Sequence, residues 1–311
     1  MKRQVRFLLM VLLVFLFAVS VAACGIRTDK SDTTETKINM DDTVLQQKIK
    51  YSSWEEVPKN DYREETITVD YNDQKIWGVA YIPKTEQEKY PLVICSHGLG
   101  GSYSDCMEYA KLFATHGMAT YCFDFRGGGG RRSDGSTTQM SLITEATDIQ
   151  TIINSAKEWI FVDLDKIILF GESQGGAASA IAAARDTENV NGLILCYPAF
   201  LVHDAVHEEF DTLSEVPSSY YFKWITVGRP YAEDVWDYDV YSEIGDYNKP
   251  VLLMHGDRDS VVPISYAKRA SDVYPNVTYE VINGGGHGFY GNLLDVAERY
   301  ILTYLCKIGI Y

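Results

Sequence analysis

One hexapeptide in the middle of the chain, Gly171-Glu172-Ser173-Gln174-Gly175-Gly176, limits the possible folds more than any other stretch. It follows the apolar run Lys166-Ile167-Ile168-Leu169-Phe170, which reads as a buried parallel strand. It precedes an alanine-rich stretch, residues 177–184, which reads as a tightly packed helix. Strand, G-x-S-x-G and helix in that order describe a nucleophile elbow, whose central residue is held in an uncomfortable backbone conformation. Glycine is needed at 171 and 175 because a side chain at either would collide where strand and helix nearly touch. The turn lifts the Ser173 hydroxyl above the sheet. The hexapeptide alone also fits a serine that caps a helix after a glycine turn, so its neighbours must decide.

Around the elbow, short apolar runs alternate with amphipathic stretches. Residues 64–71 and 74–82, joined through Asn72-Asp73, predict an antiparallel hairpin at a sheet edge. Residues 91–95, 119–125, 192–197, 250–254 and 278–282 predict further strands, and 105–116, 145–159, 264–274 and 293–305 predict helices. The expected class is α/β, a doubly wound and mostly parallel sheet with an antiparallel N-terminal edge and ligands at the carboxyl ends of its strands. A chain of 311 residues, 46% hydrophobic, supplies one large core of this kind. A net charge of -15 argues against nucleic acid as a partner, since phosphate backbones are bound by basic surfaces.

The N-terminus changes the expected address. Lys2, Arg3 and Arg6 precede an apolar run, residues 7–19, too short to span a bilayer comfortably. Val21-Ala22-Ala23-Cys24 then resembles the lipobox of bacterial lipoproteins, which implies cleavage before Cys24 and lipid on its thiol. An ordinary secretory signal or an uncleaved anchor remain the alternatives. The expected organisation is a signal peptide over 1–23, a polar tether over 24–49 and one domain over 50–311. The implied location is extracytoplasmic, on the cell membrane through the lipid at Cys24.

Cys95, Cys122 and Cys196 lie inside apolar runs and read as buried free thiols, which leaves Cys106 with Cys306 as the one conceivable disulfide. The glycine run 127–130 beside Arg126, Arg131 and Arg132 lacks the Lys-Ser/Thr of a phosphate loop and reads as a mobile surface loop. His203 and His207 stand four apart and could share a helix face toward a metal, but no third ligand is evident. No metal and no cofactor are expected.

A serine hydroxyl is a weak nucleophile, so Ser173 needs a base, the base needs an orienting carboxylate, and the oxyanion needs donors. His255-Gly256-Asp257-Arg258-Asp259 follows one predicted strand, and Gly284-Gly285-Gly286-His287 follows the next. Ser, Asp, His is the chain order this architecture uses. His97 and His255 read as structural, and Asp259 could instead cap the helix that begins near Pro263.

With these motifs in order, residues 60–308 resemble the α/β-hydrolase superfamily. The resemblance implies Ser173 as nucleophile, Asp259 as acid with Asp257 as its rival, and His287 as base. It implies the backbone N–H groups of Leu99 and Gln174 as oxyanion donors and a cap insertion at about 198–248. That insertion carries Phe200, Phe210, Tyr220, Tyr221, Phe222, Trp224, Tyr231, Trp236, Tyr238 and Tyr241, which either glue the cap down or line an aryl acyl pocket. Phe123-Asp124-Phe125-Arg126-Gly127, Ser133-Asp134-Gly135 and the pair Glu145 and Asp148 are similar to bacterial cinnamoyl and feruloyl esterases. Those have His before the nucleophile, where this chain has Glu172. The expected activity is hydrolysis of small-molecule esters of small or aryl acids. A peptidase of the prolyl-oligopeptidase type and a non-catalytic surface binding protein are the alternatives.

Overall fold

The computed structural model describes residues 53–311. The signal segment, Cys24 and the tether lie outside the described residues. The domain is built on an eight-stranded sheet in the order β1-β2-β4-β3-β5-β6-β9-β10. β1 (Tyr62–Tyr71) and β2 (Gln74–Pro83) form the expected hairpin, with Tyr71 opposite Gln74 and Asn72 in the left-handed region at φ 53°. β2 also runs antiparallel to β4 (Ala119–Phe123), and every remaining neighbour pair in the sheet is parallel.

The central strands are β3 (Tyr90–Ser96), β5 (Val162–Glu172) and β6 (Val190–Cys196), continued by β9 (Val251–Gly256) and the edge strand β10 (Val277–Ile282). Their side chains alternate between two cores, as a sheet covered on both faces requires. Ile167, Leu169, Leu193 and Leu253 enter one core, Ile168, Phe170, Ile194 and Leu252 the other. The first core is closed by α2 (Leu142–Ala156), α3 (Ser173–Arg185) and, farther along, α7 (Ile264–Val273). The second is closed by α1 (Met107–Thr115) and α8 (Asn292–Lys307). α3 begins on the elbow serine itself, and the alanines and serine among residues 177–183 let it lie close to the sheet, each of them buried.

Between β6 and β9 the chain makes α4 (Val202–Glu209), a separate hairpin of β7 (Ser219–Phe222) and β8 (Ile225–Gly228), then α5 (Arg229–Glu233) and α6 (Val240–Ile244). Lys223, at φ 54°, and Trp224 form the two-residue turn of the hairpin. A ring chain runs through this insertion, from Phe210 to Tyr220, Phe222 and Tyr231, at centroid separations of 5.0, 6.2 and 5.0 Å.

Two expectations need correction. The glycine run reaches the surface at Gly129 but is packed against its neighbours, with Gly127 and Gly128 buried and Gly130 half-buried. A Cβ on Gly129 would strike the Gly100 carbonyl, and one on Gly130 the Asp124 carboxylate. Glycines stand there because two backbone segments touch. Cys106 and Cys306 are not bonded; all five described cysteines are free and buried, and the Cys106 thiol faces Glu172 at 3.7 Å.

The elbow leaves no room for a side chain at Gly175, whose Cβ would meet the His97 carbonyl oxygen and, at 2.5 Å, that of Ser96. Gly175→Ala is expected to destabilise the domain by about 1–3 kcal/mol. Gly286→Ala, which meets nothing within 4 Å, should stay within about 0.5 kcal/mol of the parent. Urea titrations of the two variants check the difference.

Candidate active site

Ser173 sits at φ 52°, the left-handed conformation that a nucleophile elbow requires of a non-glycine residue. The geometry is held from both sides. Gly171 leaves space for the Gly175 backbone, Gly175 leaves space for the Ser96 and His97 carbonyls at the end of β3, and Gly98 lies so close that a Cβ there would be 3.1 Å from Ser173 Cβ. Ser173 therefore stands at the start of α3 with its side chain against the loop after β3.

His287, on the loop after β10, places Nε2 2.8 Å from Ser173 Oγ, and its Nδ1 is 2.8 Å from Asp259 Oδ2. With Nδ1–H donating to the carboxylate, Nε2 is the lone pair that can take the hydroxyl proton. Asp259, on the loop after β9, also accepts the amides of Val261 and Val262 through Oδ1 at 2.8 and 2.9 Å. It thus shapes its own turn while it orients the imidazole, so the capping and orienting readings describe one residue. Burial alone would raise its pKa, but the bonds from His255, His287 and the Val262 amide outweigh this and hold it well below the usual carboxylate range.

The rival carboxylate, Asp257, turns away from His287 and accepts the Gly284 amide at 2.6 Å. His255 is fully buried, donates from Nε2 to the Val262 carbonyl at 2.9 Å and stands 3.3 Å from Asp259 Oδ2. His97 accepts the Phe125 amide on Nε2 at 3.2 Å and donates from Nδ1 to the Gly98 carbonyl at 2.8 Å. Its burial lowers its pKa, which keeps it neutral in that role. Both histidines shape loops, as their sequence positions led one to expect.

Leu99 lies directly after Gly98, beside Ser173, and Gln174 is the second residue of α3, whose first amides have no partner inside the helix. The positive end of the helix dipole adds to this corner. Features that sequence reasoning missed fix both segments. The indole of Trp224 donates to the Leu99 carbonyl at 2.8 Å. The Gln174 side chain is held at both ends, donating to Glu145 at 2.9 Å and accepting from the Tyr231 hydroxyl at 2.5 Å. Glu145 is fully buried, and desolvation pushes its pKa up to about 8, with Asp148 adding to the effect and the Gln174 bond opposing it. The nearby Asp148 is bound by Arg126 at 2.6 Å.

Ser173 opens onto a narrow apolar cavity of about 30 Å³, walled by Leu99, Ala199, Leu201, Phe222, Trp224 and Val262 among others. Of the aromatic residues in the insertion, Phe222, Trp224 and Tyr231 reach it, while Phe210 and Tyr220 pack behind them. A larger hollow of about 420 Å³ holds His203 and His207, whose rings are 4.5 Å apart, but neither Ser173 nor His287 lines it. His207 donates to the Trp236 carbonyl at 2.8 Å, and among the described residues no group of side chains could hold a metal ion.

A family profile described as serine aminopeptidase, S33, matches residues 87–235, just under half of the chain. An uncharacterized protein of Mycobacterium tuberculosis is 28% identical over 253 residues, 78% of this chain and 80% of that protein. The structure of Est1E from Butyrivibrio proteoclasticus with ferulic acid bound is 25% identical, with a TM-score of 0.69 over 77% of this chain and 99% of that one. A monoacylglycerol lipase of Paleococcus ferrophilus, 18% identical, superposes with a TM-score of 0.60 over 75% and 99% of the two chains and speaks for the fold alone. The sheet and its flanking helices have the α/β-hydrolase fold, and the chain is a hydrolase of the α/β type.

Glu145 gives this corner a pH signature. Its folded pKa, about 8, lies above its ordinary 4.5, so across that window the folded state keeps a proton that the unfolded state loses. Its contribution to stability is complete below the ordinary value and fades as pH rises through about 8. Glu145→Gln has no such proton, so between pH 5 and pH 8 it should lose roughly 1–3 kcal/mol less stability than the parent. Urea denaturation of both proteins at the two pH values checks this.

Proposed function

We propose that this chain is a serine esterase that cleaves carboxylic esters of small or aryl acids through an acyl-enzyme on Ser173. The observation that carries the reading is the unbroken relay of hydrogen bonds from Asp259 Oδ2 through His287 to Ser173 Oγ, each 2.8 Å long. Attack of Oγ on the ester carbonyl sends the hydroxyl proton to His287 Nε2, while Asp259 stabilises the resulting imidazolium. The carbonyl oxygen becomes an oxyanion facing the amides of Leu99 and Gln174, where each donor is worth about 10²–10³ in rate. Collapse of this intermediate breaks the ester C–O bond, and the alcohol leaves with the proton from Nε2. A water molecule then gives a proton to Nε2 and attacks the acyl carbon, and the acid departs as Ser173 recovers its proton.

An aminopeptidase would need carboxylates near the cleft to take the substrate's ammonium group. Among the described residues lining the cavity there are none, and its one charged side chain is Lys223. This favours esters over peptides. The cavity of about 30 Å³ favours short acyl groups. The ferulic acid bound in Est1E supports an aryl acyl group instead, which here would require the Phe222–Trp224 wall to give way.

Ser173→Ala should lower p-nitrophenyl butyrate hydrolysis by about 10⁴-fold or more; undiminished turnover would refute the proposal. In a panel of esters the parent should prefer acyl chains of about two to four carbons to cinnamoyl groups, given how steeply a tight pocket penalises each added methylene. Phe222→Ala should narrow that preference roughly ten-fold, as read from the ratio of kcat/KM values.

A further inference from the structure

Glu172 stands directly before Ser173 at the carboxyl end of β5, buried and unused by the steps above. The sheet register sets it opposite Cys196 of β6. The next residue, Tyr197, leaves the strand in the left-handed region at φ 41°, a costly conformation for an aromatic residue, while its amide still donates to the Met254 carbonyl at 2.8 Å. This turn brings the phenol to the end of β5, where its hydroxyl donates to Glu172 Oε1. The Cys106 thiol faces the other carboxyl oxygen at 3.7 Å.

The ring so tethered meets the imidazole of His287 at a centroid distance of 5.0 Å and an angle of 61°. It meets Phe289, two residues on, at 4.9 Å and 86°. The His287 loop has little of its own to hold that imidazole. Gly284, Gly285, Gly286 and Gly288 surround it, with Gly284 and Gly288 at φ 79° and 121°. Asp259 and Ser173 fix the two ring nitrogens, but the ring plane needs a contact on its face or edge, and Tyr197 supplies one.

We propose that Tyr197, held in place by Glu172, is a positioning residue that keeps the His287 imidazole in line between Asp259 and Ser173. The inference rests on the esterase reading for its kinetic consequences, though not for the geometry. It also carries a pH dependence. The groups facing Glu172 are Cys95 from β3, Asp105 and Cys106 from the turn before α1, Tyr109 from α1, and Cys196 and Tyr197 from the end of β6. Burial pushes these thiols and phenols up, so they stay neutral near pH 7. Burial also pushes Glu172 up to about 7, against the hydrogen bonds from Tyr197 and Cys106 and with the help of Asp105. As pH rises through that value the carboxyl becomes a carboxylate, which grips the phenol hydroxyl more strongly.

The test compares Tyr197→Ala, Tyr197→Phe and Glu172→Gln with the parent by two readouts. One is the low-field Nδ1–H resonance of His287 in ¹⁵N-histidine-labelled protein, which needs no turnover. The other is the pH profile of p-nitrophenyl butyrate hydrolysis. Tyr197→Ala should broaden the resonance and lower kcat by about 100-fold, the cost of a misplaced catalytic group, with KM changed less than about three-fold. Tyr197→Phe keeps the ring and loses the tether, so its fall in kcat should be smaller, about ten-fold, and the resonance should survive in part. Glu172→Gln should remove the contribution of the Glu172 carboxyl from the kcat/KM profile while that of the general base remains.

A sharp resonance and a kcat within about two-fold of the parent in Tyr197→Ala would overturn the proposal. So would a sharp resonance and a parental kcat in Tyr197→Phe, which keeps the side-chain volume and decides the matter if the alanine variant does not fold. If Ser173→Ala retained full activity while Tyr197→Ala lost the resonance, the esterase reading would fall and the positioning role would stand.

Discussion

The close approach of the end of β5 to the start of α3 governs this molecule. The strand and the helix after it meet at so short a distance because the chain reverses through a left-handed residue with glycines two positions before and after it. Ser173 is that residue; the bare Gly171 lies against the Gly175 backbone, and the bare Gly175 lies against the end of β3. The loop after β3 is then drawn in, since Gly98 is small enough to lie against the serine itself. Behind it the loop after β4 follows the same rule, with Gly129 against Gly100 and Gly130 against Asp124. The site is therefore a stack of backbone segments pressed to contact distance, each marked by glycine, with functional side chains rising from the edges.

Environment then sorts the carboxyl groups in this region into different jobs. Asp259 receives hydrogen bonds from two imidazoles and from the backbone, and stays ionised. Glu145 and Glu172 receive fewer and are pushed up toward neutrality by burial. One charged carboxylate thus faces the histidine, while two whose ionisation is delayed to near or above neutral pH brace neighbours of the triad, Glu145 through Gln174 and Glu172 through Tyr197.

The sheet, its antiparallel edge and the serine turn were legible because each follows from local chemistry: apolar runs long enough for strands, Asn72-Asp73 for a hairpin, glycines where Cβ atoms cannot go. That Ser173, Asp259 and His287 converge was readable from their positions at strand ends, and the structure brings all three side chains together. The contact of Gly129 with the Gly100 backbone was not readable, because it is set by the pairing of β3 with β4 in the sheet and not by neighbouring sequence. Nor were the contacts of Tyr197, which depend on a register that pairs Glu172 with Cys196 and on a left-handed turn at a residue type that seldom takes one. The insertion's aromatic residues divided between filling and lining according to hairpin geometry that composition does not encode.

The bond from the Trp224 indole to the Leu99 carbonyl has a bearing on how guests are told apart. The tip of the β7–β8 hairpin and the strand end that carries a candidate oxyanion amide are joined by one hydrogen bond. A guest bulky enough to push the indole aside would strip a neighbour from that strand end as it enters. On the esterase reading, discrimination among acids would then be written into the chemical step as well as into binding, and a poorly fitting acid could be held firmly yet processed slowly.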